Sequence, residues 1–135
     1  MKELRISTNN LEMDVALVHN YLSKQSYWAK GRGIEEVMKS MENSICFGVF
    51  DGKAQIGFAR LVTDYVVFAW LMDVFVIDEY KGKGVGSFLM DYIMKLPELQ
   101  EINGIGLRTK DSQNFYGKYG FRKISEPETW MQKIR

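Results

Sequence analysis

Residues 81–87 read Lys-Gly-Lys-Gly-Val-Gly-Ser, three glycines interleaved with two lysines. Just ahead of a helix, such a turn has a chemical use. The first turn of a helix leaves N–H groups without intrahelical acceptors, and the helix dipole favours an anion there. Glycines let a phosphate come close to the main chain. Lys81, Gly82, Lys83, Gly84, Val85, Gly86 and Ser87 are therefore candidate binders of a phosphate-bearing cofactor; the competing reading of the lysines is a solvated turn. The stretch does not match Gly-x-x-x-x-Gly-Lys-Ser/Thr, which disfavours a P-loop nucleotidase. Two further places stand out. Asp73 sits inside an otherwise apolar run, and a carboxylate is costly to bury unless it is paired or used. Its alternative is a side chain at a strand end, bonded to neighbouring main chain. Tyr27 and Trp28 lie in a loop, where aromatic side chains either wall an acceptor pocket or cap the core between two helices.

The elements that must position these residues follow from periodicity. Residues 70–77 are apolar and rich in Val and Phe, as a well-buried strand should be. After the glycine turn, Val85, Phe88, Leu89, Tyr92, Ile93 and Leu96 recur at helical spacing, and Pro97 stops the helix. Upstream, Leu4–Ser7 alternates as a short strand. Asp14 can N-cap a helix reaching about Ser23, with Val15, Val18 and Leu22 inward. A second helix over residues 34–42 places Ile34, Val37, Met38 and Met41 on one stripe. An Asp-Gly turn between two apolar runs, 45–50 and 54–63, predicts a hairpin. A second turn at 63–66 leads to a long strand over 67–77, completing an antiparallel meander. A strand over 104–108 should return parallel by a right-handed crossover. Asp111 or Ser112 can cap a short helix to about Tyr119, ended by Gly120. Residues 121–124 and 129–133 are expected as closing strands.

Composition bounds the function. The 135 residues fit one domain spanning 1–135, and 46% apolar content supports a real core, with eight methionines as adaptable filler. A net charge of +1 gives no global basic field for nucleic acid. A single cysteine, Cys46, excludes an intramolecular disulfide or a Cys-based zinc cluster. With His19 the lone histidine, a multi-histidine metal site is excluded and a Ser-His-Asp triad is disfavoured, so no metal is expected. There is no apolar run of about 18 residues and no positive-then-apolar leader, so a cytoplasmic protein without a membrane span is expected.

The segment Val74-Phe-Val-Ile-Asp-Glu-Tyr-Lys-Gly-Lys-Gly-Val-Gly86 resembles the acetyl-CoA signature of the GNAT superfamily of N-acetyltransferases: strand, then Arg/Gln-x-x-Gly-x-Gly/Ala, then helix. Asn114-Phe-Tyr-Gly-Lys-Tyr-Gly-Phe121 resembles its second landmark, Tyr-x-x-x-Gly-Phe. The two lie at the right separation, and the order β-α-α-β-β-β-α-β-α-β-β extends the likeness along nearly the whole chain. Departures are Lys81 at the Arg/Gln position, Asp78 where many members have Pro, and Thr109 where an Asn often precedes the tyrosine.

The resemblance implies an α+β fold, a mixed and mostly antiparallel sheet with helices on both faces. It implies acetyl-CoA as the acyl donor and a primary amine of a small molecule or peptide as acceptor, joined by direct attack without an acyl-enzyme. Val74, Phe75 and Val76 then match positions where the pantetheine arm pairs with main chain. Tyr116 is the expected general acid toward the departing thiolate, and Asp73 the expected base or acceptor-binding carboxylate, with Glu12, Glu35 and Asp64 as weaker alternatives. Lys118 is placed near the cofactor side. The competing function is a non-catalytic acyl-CoA-binding domain or sensor with the same fold. The family often dimerises, and no exposed stripe in the sequence decides for or against a homodimer.

Overall fold

The computed structural model describes residues 3–135. In chain order the elements are β1 (Leu4–Ser7), α1 (Val15–Asn20), α2 (Ile34–Glu42), β2 (Ile45–Asp51), β3 (Ala54–Thr63), β4 (Phe68–Val76), α3 (Val85–Met94), β5 (Gly104–Leu107) and α4 (Gln113–Gly117). Short 3₁₀ turns join several of them. The five strands form one sheet in the order β1-β2-β3-β4-β5. The first four pair antiparallel, and β5 lies parallel to β4 after the α3 crossover.

Local chemistry sets the corners. Gly52, at φ +61°, turns β2 into β3. Asp64 Oδ1 accepts N–H bonds from Val66, Val67 and Phe68 at 3.0, 2.8 and 3.2 Å, which closes the β3–β4 turn. That carboxylate is a turn staple, not part of an acceptor pocket. Asp14 caps α1 by accepting from the Leu17 N–H at 3.0 Å. Past Asn20 the same helix widens into a π turn over Tyr21–Gln25, with the Ser26 N–H on the Tyr21 carbonyl at 3.0 Å.

Each face of the sheet carries its own core. On one, Phe47, Val49, Ala59, Leu61, Ala69 and Leu71 meet Val85, Leu89, Met90 and Ile93 of α3. On the other, Cys46, Phe58 and Phe75 meet Val18, Tyr21 and Leu22 of the first helix and Val37 and Met41 of α2. The helical stripes are narrower than expected. Ile34 and Met38 stand 44% exposed, and Phe88 and Tyr92 about as much, while Met90 takes the buried position on α3.

The expected closing strands are not present. Residues 121–124 and 130–135 form no ladder, and β5 keeps an unpaired outer edge. Phe121-Arg-Lys-Ile124 is a short run interrupted by two charges. Pro127 has no N–H to give a ladder and opens a 3₁₀ turn through Thr129. Trp130 anchors the tail by its ring instead, 6.4 Å from Phe68 and 6.3 Å from Trp70.

Candidate active site

The glycine turn builds a cradle of bare main chain. Gly82 and Gly84 sit at φ +76° and +83°, where an L side chain is strained, and a Cβ at either would meet nothing within 4 Å. Gly84 is the N-cap of α3 and has no side chain to cap it. The N–H groups of Gly82 to Ser87 therefore have no protein acceptor among the described residues. Lys81 lies beside them, its ammonium 2.8 Å from Asp78 Oδ1, and that hydrogen bond raises its pKa above the usual lysine value. Lys83 lies over the Tyr80 ring. The residues fit a diphosphate.

A second feature opens the sheet beside this cradle. β4 pairs with β5 only from Phe68 to Leu71; beyond Leu71 and Leu107 the two part. The cause is a bulge in β4. Phe58 faces Phe75 and Arg60 faces Met72, so Ala59 stands opposite two residues, Asp73 and Val74. Asp73 takes φ +55°, rare for a residue other than glycine. The extra residue also moves Phe75 to the face opposite Leu71, since one step reverses the alternation. The β5-facing edge of Val74, Phe75 and Val76 is left without a strand partner.

Three donors hold Asp73 in this conformation. Trp28 Nε1 donates to Oδ1 at 2.9 Å; Arg32 Nη1 and Arg60 Nε donate to Oδ2 at 2.8 and 2.9 Å. The carboxylate is 2% exposed. Three of its four acceptor positions are taken, two of them by guanidiniums, which suits the carboxylate to an anchor rather than a base. Arg60 is also satisfied, by Ser44 Oγ at 3.1 Å and Met72 Sδ at 3.5 Å.

Two cavities meet at this split. One, about 590 Å³, runs from Gly82, Gly84 and Ser87 along Val74, Phe75 and Val76. The other, about 750 Å³, lies between Arg32, Trp70 and Asp73 on one side and Arg108, Thr109 and Lys110 on the other. Both are lined by Tyr27, Trp28, Val74, Asp111, Ser112 and Tyr116. Tyr27 and Trp28 pack edge to face, and Tyr27 Oη accepts the Lys110 N–H at 2.9 Å. Tyr116, on α4, makes no side-chain hydrogen bond to protein among the described residues. Burial foremost, then the neighbouring Tyr27 and Asp111, push its phenol up to about 12. α4 is itself docked on α3, with Tyr119 Oη on the Ser87 carbonyl at 3.4 Å and Phe115 beside Gly86.

A family model described as the acetyltransferase (GNAT) domain matches residues 42–123, which span α3, β5 and α4. The chain belongs to the GNAT family. It is 32% identical over 139 residues to the uncharacterized N-acetyltransferase ycf52 of Gracilaria tenuistipitata var. liui, covering 87% of this chain and 74% of that one. It is 27% identical to the streptothricin acetyltransferase of Escherichia coli over 75% of this chain and 64% of the relative. Among solved structures, a protein assigned to the GNAT family from Xanthomonas campestris pv. campestris superposes with a TM-score of 0.96 at 37% identity, over 100% and 95% of the two chains. A Clostridium acetobutylicum protein solved with acetyl-CoA shares the fold, with a TM-score of 0.70 at 14% identity over 99% and 96%.

The chain is thus an acyltransferase of this family. Sequence reasoning picked out Asp73 but missed the two arginines that occupy it. Arg60 carried a usable signal: a lone cation inside an apolar strand, one hairpin away from a lone anion in the next. Arg32 lay in the Gly31-Arg-Gly33 loop with no such mark. Lys118 is exposed and lines neither cavity.

Proposed function

We propose that this GNAT enzyme acetylates a primary amine, with acetyl-CoA in the cleft along β4 and the amine in the adjoining cavity. The observation behind the reading is that the two cavities share Tyr116 and Val74 at the split between β4 and β5. The N–H groups of Gly82 to Ser87 would hold the diphosphate, aided by Lys81 and Lys83. The free edge of Val74 to Val76 would pair with the amides of the pantetheine arm. When bound, acetyl-CoA supplies a thioester. The amine nitrogen bonds to the acetyl carbon, the carbon–sulfur bond breaks, and the sulfur leaves with the electron pair and takes a proton.

The residues divide the remaining work. Tyr116 donates a hydrogen bond to the departing sulfur. Full transfer of its proton is unfavourable: a thiol titrates near ~8.5, and the gap to about 12 corresponds to about 5 kcal/mol. Asp73 is a positioning residue that fixes Trp28 and Arg32, not the base. Cations around the acceptor, Arg32, Arg108 and Lys110, favour its uncharged form, and the proton leaves through the open cavity. Cys46 takes no part. It is buried on the opposite side of Arg60 and, chiefly by desolvation, its thiol is held at about 11. A cytoplasmic location, one compartment in which acetyl-CoA is at hand, is proposed with it.

The test is thiol release from acetyl-CoA with a panel of primary amines, beside calorimetric titration of acetyl-CoA alone. Binding with amine-dependent thiol release is expected. Binding without transfer to any amine, unchanged by Tyr116→Phe, would turn the reading to a non-catalytic acyl-CoA sensor.

A further inference from the structure

We propose that the amine this enzyme acetylates also bears an anionic group, a carboxylate foremost, seated on Arg32. The inference rests on the acetyl-transfer reading above and specifies its acceptor.

The charges around the acceptor cavity are unequal. Its lining includes the cations Arg32, Arg108 and Lys110 and the anions Asp73 and Asp111. Asp73 is already matched from behind by Arg60, which lies outside the cavity lining. Asp111 accepts the Ser112 hydroxyl at 3.2 Å. Asp111 is then the wall's one carboxylate without a cationic partner among the described residues, set against the three cations Arg32, Arg108 and Lys110, so the wall keeps an excess of positive charge to receive an anion. Arg108 makes no hydrogen bond or ion pair among the described residues.

Arg32 is built for the task. Its Nη1 is fixed on Asp73 at 2.8 Å, and its side chain is 25% exposed. The Nε–Nη2 edge of the same guanidinium has no protein acceptor among the described residues. That edge is a planar two-donor fork, and a carboxylate takes such a fork with two parallel bonds. Asp73 pre-orients it, so little side-chain freedom is lost on binding. The strained φ of Asp73 thereby gains a purpose: the bulge that parts β4 from β5 also places the anchor that aims Arg32. Beside it Tyr27, Trp28 and Trp70 offer apolar area for the body of the acceptor. The cavity thus suits a compact amino carboxylate. An aminoalkyl phosphate or phosphonate shares the charge but not the planar fit.

The test compares matched acceptors with acetyl-CoA as donor, following thiol release. Amino carboxylates are paired with their own amides, for example phenylalanine with phenylalaninamide and glycine with glycinamide, next to aminoethylphosphonate and a diamine. The acid should exceed its amide in kcat/KM by about 10- to 100-fold, the span of one charge-assisted hydrogen-bonded contact. Aminoethylphosphonate above the acids would reassign the anion to a phosphoryl group and overturn the carboxylate preference. Arg32→Gln should shrink the acid–amide ratio of kcat/KM toward one, with the larger rise in KM falling on the acid and affinity for acetyl-CoA within about twofold; Arg32→Lys should restore part of the ratio. Because Arg32 also braces Asp73, Arg108→Gln provides a second variant at an exposed site, with a smaller change of the same sign. Amides or diamines accepted as well as the acids, or acids not accepted at all, overturn the proposal. Failure of acetyl-CoA to bind would instead overturn the reading beneath it.

Discussion

A phenol held at about 12 keeps its proton at any working pH, so Tyr116 is a permanent donor. Burial, the leading cause, would stabilise the neutral form in any site. What distinguishes this one is that, among the described residues, the cavity brings the hydroxyl no hydrogen-bond partner. Tyr116→Phe should therefore lower kcat by about 10- to 100-fold and leave acetyl-CoA affinity within about twofold. A large loss of affinity with normal turnover would contradict the assignment. The pH profile gives a second check. The group is protonated below about 12, so its loss of function belongs above pH 11, whereas the acceptor amine must lose a proton to react. The rate should rise with pH and hold level through pH 10. A falling limb near pH 8–9 that disappears in Tyr116→Phe would mean that the phenol is far more acidic in the working enzyme.

At the scale of elements, two local distortions do most of the positioning. Gly84 is one. Its φ of +83° costs an L residue about 1–2 kcal/mol, and space around it is open, so a substitution acts through the backbone and not through collision. Gly84→Val should fold with a small loss of stability and lose acetyl-CoA binding in calorimetry; unaltered binding would remove the cradle from the site. The bulge at Asp73 is the other. Asp73→Asn leaves two guanidiniums facing each other with no anion between them, and removing one member of a buried ionic group typically costs about 3–5 kcal/mol. Urea unfolding should reveal that loss, together with a raised KM for the acceptor as Arg32 and Trp28 lose their anchor. A stability change below about 1 kcal/mol would mean that β4 keeps its bulge without the cluster. These two distortions also mark the reach of sequence reading. The glycine turn was legible because its cause is local: glycines, a helix start and no side-chain cap lie within a few residues. The bulge was not, because the residues that bind Asp73 within it, Arg32 and Arg60, are distant along the chain and become its neighbours only once the sheet exists. The apolar run of β4 announced a strand but gave no sign that its faces exchange half-way.

For the molecule as a whole, the meander and the crossover were readable, since each follows from a strong period or a short turn, while the two-sided burial came with the family resemblance. The chain beyond Gly120 was not: its apolar residues resemble short strands, but Pro127 and the ring contacts of Trp130 settle them otherwise. The buried layer between the sheet and the first two helices has a property of its own. Cys46 lies there, 1% exposed, and desolvation lifts its thiol from 9.0 to about 11, with Arg60 pulling modestly the other way. In the unfolded chain the thiol loses its proton first. Between pH 9 and 11 the unfolded state therefore binds fewer protons than the folded one, and stability must fall as pH rises through that window. The contribution is complete below pH 9 and amounts to about 3 kcal/mol across the two units. Urea midpoints taken from pH 8 to 11 should decline more steeply for the native protein than for Cys46→Ala. The variant should start lower, for the lost packing, and then converge on the native curve as the solution becomes alkaline. Parallel curves would show that the thiolate is tolerated inside this layer, and a thiol reagent should then modify the folded protein at pH 9, which a buried neutral thiol resists.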